Sequence, residues 1–132
     1  MIKKNKVIVM DLDGTLALIK QDDQTYADVG VVERVRQRLI ELKEQGFWII
    51  IATSRNMRSY EGDLELIMKY TSPVLLDWLE LHQIPYDEIR LGKTWCGYDG
   101  FYVDDRAIRP REFVELSLDE IEILLTKDRI LQ

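Results

Sequence analysis

Two short apolar runs, each followed at once by polar residues, constrain the fold of this chain more than any other feature. Residues 7–10 (VIVM) and 47–52 (FWIIIA) contain no polar side chain, which is typical of strands buried on both faces of a sheet. Between them, apolar residues recur at helical spacing over residues 31–45, and Gly46 is a stop signal for that helix. Strands that alternate with helices predict a parallel sheet with right-handed crossovers.

The remainder of the chain continues this alternation. The patterns predict helices over 62–69 and 72–82 (with Ser72 and Pro73 as cap and first turn), strands over 87–91 and 100–103, and a last helix opened by a capping box at Ser117. We therefore expect an α/β fold, a three-layer, Rossmann-like parallel sheet flanked by helices. The length of 132 residues suits a single domain over residues 1–132.

Composition excludes several classes of function. The net charge of −6 disfavours a nucleic-acid partner, because binding to phosphate backbones needs a basic surface. Cys96 is the only cysteine, so the chain cannot form an internal disulfide, which suits a reducing compartment. No stretch approaches the roughly 18 apolar residues of a membrane span. We expect a cytoplasmic protein with no membrane partner.

Chemically active side chains follow each predicted strand. They are Asp11 and Asp13 after the first, Thr53 to Arg55 after the second, Lys93 after the third, and Asp104 and Asp105 after the fourth. In parallel sheets, ligands bind beyond the carboxyl ends of the strands, so these side chains are expected at one edge. Several carboxylates together need a compensating cation, and oxygen ligands suit Mg²⁺. With a lysine and a hydroxyl beside them, the pattern indicates phosphoryl transfer.

These residues resemble the motifs of the haloacid dehalogenase (HAD) superfamily of phosphatases. That superfamily carries DxDGT, then Ser or Thr, then Lys, then an acidic pair, and the chain has Asp11 to Thr15, Thr53, Lys93 and Asp104 with Asp105 in this order. The resemblance spans roughly residues 6 to 110. Residues 53–57 (TSRNM) and 101–106 (FYVDDR) also resemble short bacterial phosphatases of capsule and surface-polysaccharide biosynthesis.

The resemblance implies a role for each matching residue. Asp11 would be the nucleophile that forms an aspartyl-phosphate, and Asp13 the residue that donates and then accepts a proton. Mg²⁺ would be held by the carboxylates of Asp11 and Asp104 and by the backbone carbonyl of Asp13. The phosphoryl group would be bound by Thr53, Ser54, Lys93 and Leu12, with Asp105 and Gly14 in supporting positions.

Spacing also bears on how substrate reaches the site. About 40 positions separate Asp13 from Thr53, and about as many separate Thr53 from Lys93, which leaves no room for the cap domain of larger superfamily members. The protein is therefore expected to be capless, with residues 16–30 as a small flap that we expect to form a hairpin. Arg55 and Arg106 are candidates for substrate contact. The flap, the substrate or a second subunit of a homo-oligomer could shield the site from water.

The leading functional hypothesis is a Mg²⁺-dependent phosphomonoesterase acting on a small phosphorylated metabolite, a sugar or polyol phosphate. Two alternatives stay open. One is a phosphatase for the phosphorylated ends of nucleic acids, which the acidic charge disfavours. The other is a regulatory or binding domain that keeps this fold without turnover, against which the intact Asp11, Asp13, Thr53 and Asp104 argue.

Overall fold

The computed structural model describes residues 5–131, which belong to two compact units, one ending at Trp95 and the other beginning at Cys96. The first unit contains a parallel sheet and its helices, and the second contains helices only among its described residues. A single domain over residues 1–132 stays a prediction. The ends of this range lie outside the described residues. No helix within residues 5–131 is long and apolar enough to cross a membrane.

The sheet of the first unit has three parallel strands. These are β1 (Val7–Met10), β2 (Trp48–Thr53) and β3 (Glu88–Leu91), in the order β1-β2-β3. Met10 pairs with Ile51, and Thr53 pairs with Leu91, so the carboxyl ends of all three strands lie at the same edge. The α/β class and the first three predicted strands are confirmed, and the sheet with its flanking helices is consistent with a Rossmann-like fold.

The fourth predicted strand is wrong. Residues 100–103 form no strand, and the side chains of Phe101 and Val103 are exposed, at 79% and 89% of their surface. The apolar run GFYV has the composition of a strand, but a strand also needs a neighbour for its backbone hydrogen bonds. The described part of the second unit offers no strand to pair with it.

The first long helix, α1 (Glu33–Glu44), matches its prediction closely. Its apolar residues Val35, Leu39 and Leu42 follow helical spacing and are buried. They join the central residues of β2 in the core of the first unit. Gly46 adopts a φ of 95°, which a residue with a side chain rarely tolerates, and so the predicted stop is confirmed.

A continuous helical stretch replaces the two separate helices predicted between β2 and β3. It consists of α2 (Leu64–Leu66), a π-helical segment (Ile67–Thr71) and α3 (Ser72–Leu81). Ser72 is therefore helical and does not cap: its N–H donates to the carbonyl of Ile67, five residues back. Pro73 has no backbone N–H to donate. The π-helical hydrogen bonds, which run five residues back, end with that of Ser72, directly before this proline.

The second unit is described by α4 (Pro110–Glu115), α5 (Leu118–Thr126) and a 3₁₀ helix (Lys127–Leu131). The predicted capping box is confirmed. The N–H of Glu120 donates to Ser117 Oγ at 3.2 Å, and the N–H of Ser117 donates to Glu120 Oε1 at 3.0 Å. The hydrogen bond from the Ser117 backbone N–H to the Glu120 carboxylate, and after it one from the Ser117 side chain, lower the pKa of the Glu120 carboxyl below its usual value.

Candidate active site

A tight turn directly after β1 presents the two aspartates of the DxDGT motif. The carbonyl of Leu12 accepts the backbone N–H groups of Thr15, Leu16 and Ala17, at 3.2, 3.0 and 2.9 Å. Gly14 has a φ of 82°, in the left-handed region that glycine adopts at no steric cost. Leu12 is fully buried and anchors the turn, and its expected contact with the phosphoryl group stays a prediction. Asp11 and Asp13 are thereby fixed beyond the carboxyl end of β1.

Asp11 lies beside the lysine that the sequence placed in the third motif. Lys93 Nζ is 3.5 Å from Asp11 Oδ1, and the hydroxyl of Thr15 donates to Asp11 Oδ2 at 3.3 Å. The N–H of Lys93 donates to the carbonyl of Thr53 at 3.1 Å, which continues the pairing of β2 with β3 past the end of β3. The Asp11 side chain keeps 39% of its surface exposed. It is a carboxylate accessible to a ligand and faced by a positive charge.

Asp13 is held by an arginine that is almost completely buried. Arg55 Nη2 donates to Asp13 Oδ1 at 2.7 Å, and Arg55 Nε donates to Asp13 Oδ2 at 3.2 Å. The Arg55 side chain is only 1% exposed, and its guanidinium lies 4.1 Å from the centre of the Tyr26 ring. Bidentate pairing fixes both oxygens of the carboxylate as well as neutralising it. Arg55 is thus buried and holds Asp13 in position, and its contact with substrate stays a prediction.

The second motif orients this arginine. The Thr53 side chain is buried, and its hydroxyl accepts the N–H of Arg55 at 3.0 Å. A hydroxyl that accepts one bond still has its own O–H to donate, so Thr53 can also donate to a phosphoryl oxygen. Ser54 lies between these two residues and is half-buried. Its expected contact with phosphate stays a prediction.

Each of the two aspartates after β1 faces a cation of the protein. Lys93 faces Asp11 and Arg55 faces Asp13, so these two carboxylates are compensated by the protein's own cations. Among residues 5–131, no group of three or more His, Cys, Asp or Glu side chains is arranged to hold a metal ion. The oxygen donors of Asp11 and Asp13 do suit Mg²⁺, which binds one or two carboxylates and completes its shell with water and phosphate. The chemistry of the donors fits the predicted ion.

The predicted acidic pair belongs to the second unit. Asp104 and Asp105 are exposed, and Asp104 Oδ1 accepts the backbone N–H of Arg106 at 2.7 Å. This bond closes a local turn of the kind that aspartate side chains favour. The roles of Asp104 as a metal ligand, of Asp105 as its support and of Arg106 in substrate contact stay predictions.

Comparison with known proteins places the chain in a family. No model of a known protein family matches it, and no curated protein matches it either. A solved protein from Vibrio cholerae, an MCSG target, is 48% identical to this chain with a TM-score of 0.89, and the match covers 93% of this chain and 98% of that one. The chain belongs to the family of this Vibrio cholerae protein.

Two more distant structures also match the chain. One, in the Pnkp1/Rnl/Hen1 complex, is 25% identical with a TM-score of 0.47, and the match covers 83% of this chain and 33% of that one. The other, in the Pnkp1/Rnl/Hen1 RNA repair complex, is 18% identical with a TM-score of 0.47, covering 96% and 31% respectively. Likenesses at this level carry no argument about function.

The flap predicted over residues 16–30 is closed at its base by backbone pairing. The N–H of Leu18 donates to the carbonyl of Gly30 at 2.9 Å, and the N–H of Val32 donates to the carbonyl of Leu16 at 2.7 Å. Further along, the indole N–H of Trp78 donates to the carbonyl of Val29 at 2.8 Å and fixes the loop to α3. The tip therefore has a defined position from which Tyr26 reaches Arg55.

Sequence reasoning missed the contribution of Tyr26 and the buried position of Arg55. Arg55 follows the second motif directly, and this position made it a candidate. The spacing does not say whether the Arg55 side chain points outward or toward Asp13. Tyr26 lies in a polar segment with no periodicity, and its contact with Arg55 depends on the pairing at the base of the flap. No local sequence signal identifies it.

Proposed function

We propose that this chain is a Mg²⁺-dependent phosphomonoesterase that acts through an aspartyl-phosphate on a small phosphorylated metabolite, a sugar or polyol phosphate. One observation carries the proposal. An accessible carboxylate, Asp11, lies 3.5 Å from Lys93, and next to it Asp13 is held on both oxygens by Arg55. A nucleophile, a cation for the phosphoryl group and a second carboxyl for proton exchange are the parts that such a reaction needs.

In the proposed first step, an oxygen of Asp11 attacks phosphorus and forms an acyl-phosphate bond. The bond between phosphorus and the leaving oxygen breaks, and a proton from Asp13 goes to that oxygen. Lys93 offsets the negative charge of the phosphoryl group, and the Thr53 hydroxyl donates to it. Because Arg55 binds both oxygens of Asp13, the carboxyl does not have to reorient between steps.

In the second step, water attacks the acyl-phosphate at phosphorus and gives its proton to Asp13. Inorganic phosphate leaves, and the Asp11 carboxylate is restored. Mg²⁺, which we propose is held by Asp11, the backbone carbonyl of Asp13 and Asp104, would supply charge neutralisation for the phosphoryl group when bound.

The test is hydrolysis of a generic aryl phosphate, followed by a panel of phosphorylated metabolites. We expect phosphate release that a chelator abolishes and Mg²⁺ restores, whereas Ca²⁺ inhibits because it takes more ligands at longer distances. Asp11→Asn should be folded and inactive. Asp77→Asn, an exposed carboxylate on α3, is the matched control and should match the wild type. A panel without any Mg²⁺-dependent phosphate release would contradict the proposal and leave a binding domain as the better account.

A further inference from the structure

A cavity of about 290 Å³ lies within the first unit, next to the arginine that holds Asp13. Its walls come from the flap, from the turn after β2 and from the π-helical segment. The residues that matter here are Tyr26, Arg55, Asn56, Tyr60, Tyr70 and Thr71. We call it the tyrosine cavity. Pockets for drug-sized ligands have roughly 300–1,000 Å³, so this volume suits a ligand about the size of a single ring.

Unusual backbone conformations build the walls of the tyrosine cavity. Asn56 has a φ of 63°, a left-handed conformation that is uncommon outside glycine. The π-helical segment Ile67–Thr71 supplies Tyr70 and Thr71, and such segments are frequent at functional sites. The buried hydroxyl of Thr71 donates to Asn56 Oδ1 at 2.7 Å and joins the two walls. Costly local conformations persist where the surrounding structure fixes them, and they concentrate at ligand sites.

The lining of the cavity is aromatic and polar. The rings of Tyr60 and Tyr70 are tilted by 30° with their centres 6.0 Å apart, and Tyr26 forms another part of the lining. Among the described lining residues, only Arg55 carries a charge, and Asp13 already compensates it. A second anion would find no unmatched cation in this lining, so the lining suits a neutral ligand.

We propose that the tyrosine cavity binds the leaving group of the substrate and selects a neutral, hydroxylated ring the size of one sugar. The tyrosine rings give it flat apolar surfaces, and Asn56 and Thr71 give it hydrogen-bonding groups. Tyr60 and Tyr70 are then specificity-determining residues. This inference rests on the proposed phosphatase function, because the cavity adjoins Asp13 through Arg55.

The experiment compares pairs of substrates that differ only in ring closure. Hexose and pentose monophosphates are paired with open-chain polyol phosphates of the same carbon number, and acetyl phosphate serves as a small substrate without a ring. For the wild type, we expect at least one ring substrate to exceed its open-chain partner about tenfold in kcat/KM. Tyr60→Ala and Tyr70→Ala should remove about that factor, mainly through KM, whereas Tyr60→Phe and Tyr70→Phe, which keep the ring, should retain most of it.

The matched control is Tyr98→Ala, an exposed tyrosine in the second unit, which should leave the ring preference unchanged. Thermal melting of each variant separates loss of fold from loss of recognition, and Tyr70, with 51% of its surface exposed, tolerates truncation best. The inference is overturned if no ring substrate exceeds its open-chain partner, if both alanine variants lower paired substrates equally, or if a sugar bisphosphate exceeds its monophosphate. Absence of Asp11-dependent phosphate release from every substrate, the generic aryl phosphate included, would identify a failure of the phosphatase proposal itself.

Discussion

The two regions that carry the motif carboxylates differ sharply in how they are fixed. Asp11 and Asp13, beyond the end of β1, each face a cation, and backbone pairing holds the segments that supply those cations. Asp104 and Asp105 follow an exposed segment without a strand, and the bond of Asp104 to the N–H of Arg106 is local. In this chain, the side chains of a motif have defined partners where hydrogen bonds between strands fix the neighbouring backbone.

The largest change expected at the fixed region comes from Asp13→Asn. Turnover should fall by roughly 10²–10⁴-fold, the usual range for the loss of a general acid–base catalyst. The loss should be smaller for substrates whose leaving groups have a low pKa, because these need less protonation. Kinetics over a series of aryl phosphates measures this. Equal losses across the series would remove Asp13 from the proton-transfer role.

Arg55→Ala tests whether Arg55 acts by positioning Asp13 or only by contacting the substrate. Removing one partner of a mostly buried ion pair should cost about 2 kcal/mol or more in the free energy of unfolding, since Asp13 is left without its partner. We expect kcat to fall for every phosphate ester whose leaving group needs protonation, including a small alkyl phosphate. Arg55→Lys keeps the charge but not the bidentate bonds, so it should recover stability better than kcat.

Denaturant unfolding and steady-state kinetics on both Arg55 variants check this prediction. A change confined to KM for large substrates, with kcat for a small alkyl phosphate intact, would show that Arg55 acts on substrate and not through Asp13.

Asp104→Asn tests the exposed region of the second unit. If Asp104 is a metal ligand, as we propose, the Mg²⁺ concentration for half-maximal activity should rise by at least about tenfold, and high Mg²⁺ should restore much of the turnover. Asp99→Asn, an exposed carboxylate of the same segment, is the control. An unchanged Mg²⁺ requirement in Asp104→Asn would mean that the metal is held without this residue.

The smallest expected effect is structural and lies in the second unit. Ser117→Ala removes the hydroxyl that accepts the Glu120 N–H, and loss of such a cap costs roughly 0.5–2 kcal/mol of stability. Activity should change little if the strand-end residues of the first unit carry the chemistry. Thermal melting and kinetics on the same preparation check both statements, and a loss of turnover larger than the loss of stability would contradict them.

The same capping box gives this prediction a pH dependence. The pKa of Glu120 is lowered in the folded protein, so its carboxylate favours folding at pH values above its ordinary pKa. That contribution is lost as the pH falls through the lowered pKa of the folded state. Ser117→Ala keeps the backbone bond, which is the larger cause, and removes only the side-chain one, so its difference in stability from the wild type should narrow only slightly in acid.

Much of the first unit follows from its sequence. The sheet is predicted by the apolar runs at 7–10 and 47–52 and by the helical spacing before Gly46. The polar residues after each strand predict that Asp11 and Lys93 lie close together. The bonds between Asp13, Arg55 and Tyr26 could not be predicted, because they depend on where the flap base places a loop. The run at 100–103 wrongly predicted a strand, because apolar composition does not ensure a neighbouring strand to pair with. The π-helical segment could not be predicted, because its hydrogen-bond pattern leaves no distinct spacing of apolar residues in the sequence.

The most direct test of the proposed mechanism is capture of the covalent intermediate. The protein is mixed with Mg²⁺ and a phosphate ester that it hydrolyses, and the reaction is quenched during turnover. The sample is then treated with borohydride, which reduces an acyl-phosphate of aspartate to homoserine. Mass spectrometry of the peptide that contains residues 5–20 then locates the change, with Asp11→Asn and a sample without substrate as controls. The mechanism predicts homoserine at position 11 in the active, substrate-treated sample alone. Full turnover without modification at position 11, or with modification at another aspartate, would contradict it.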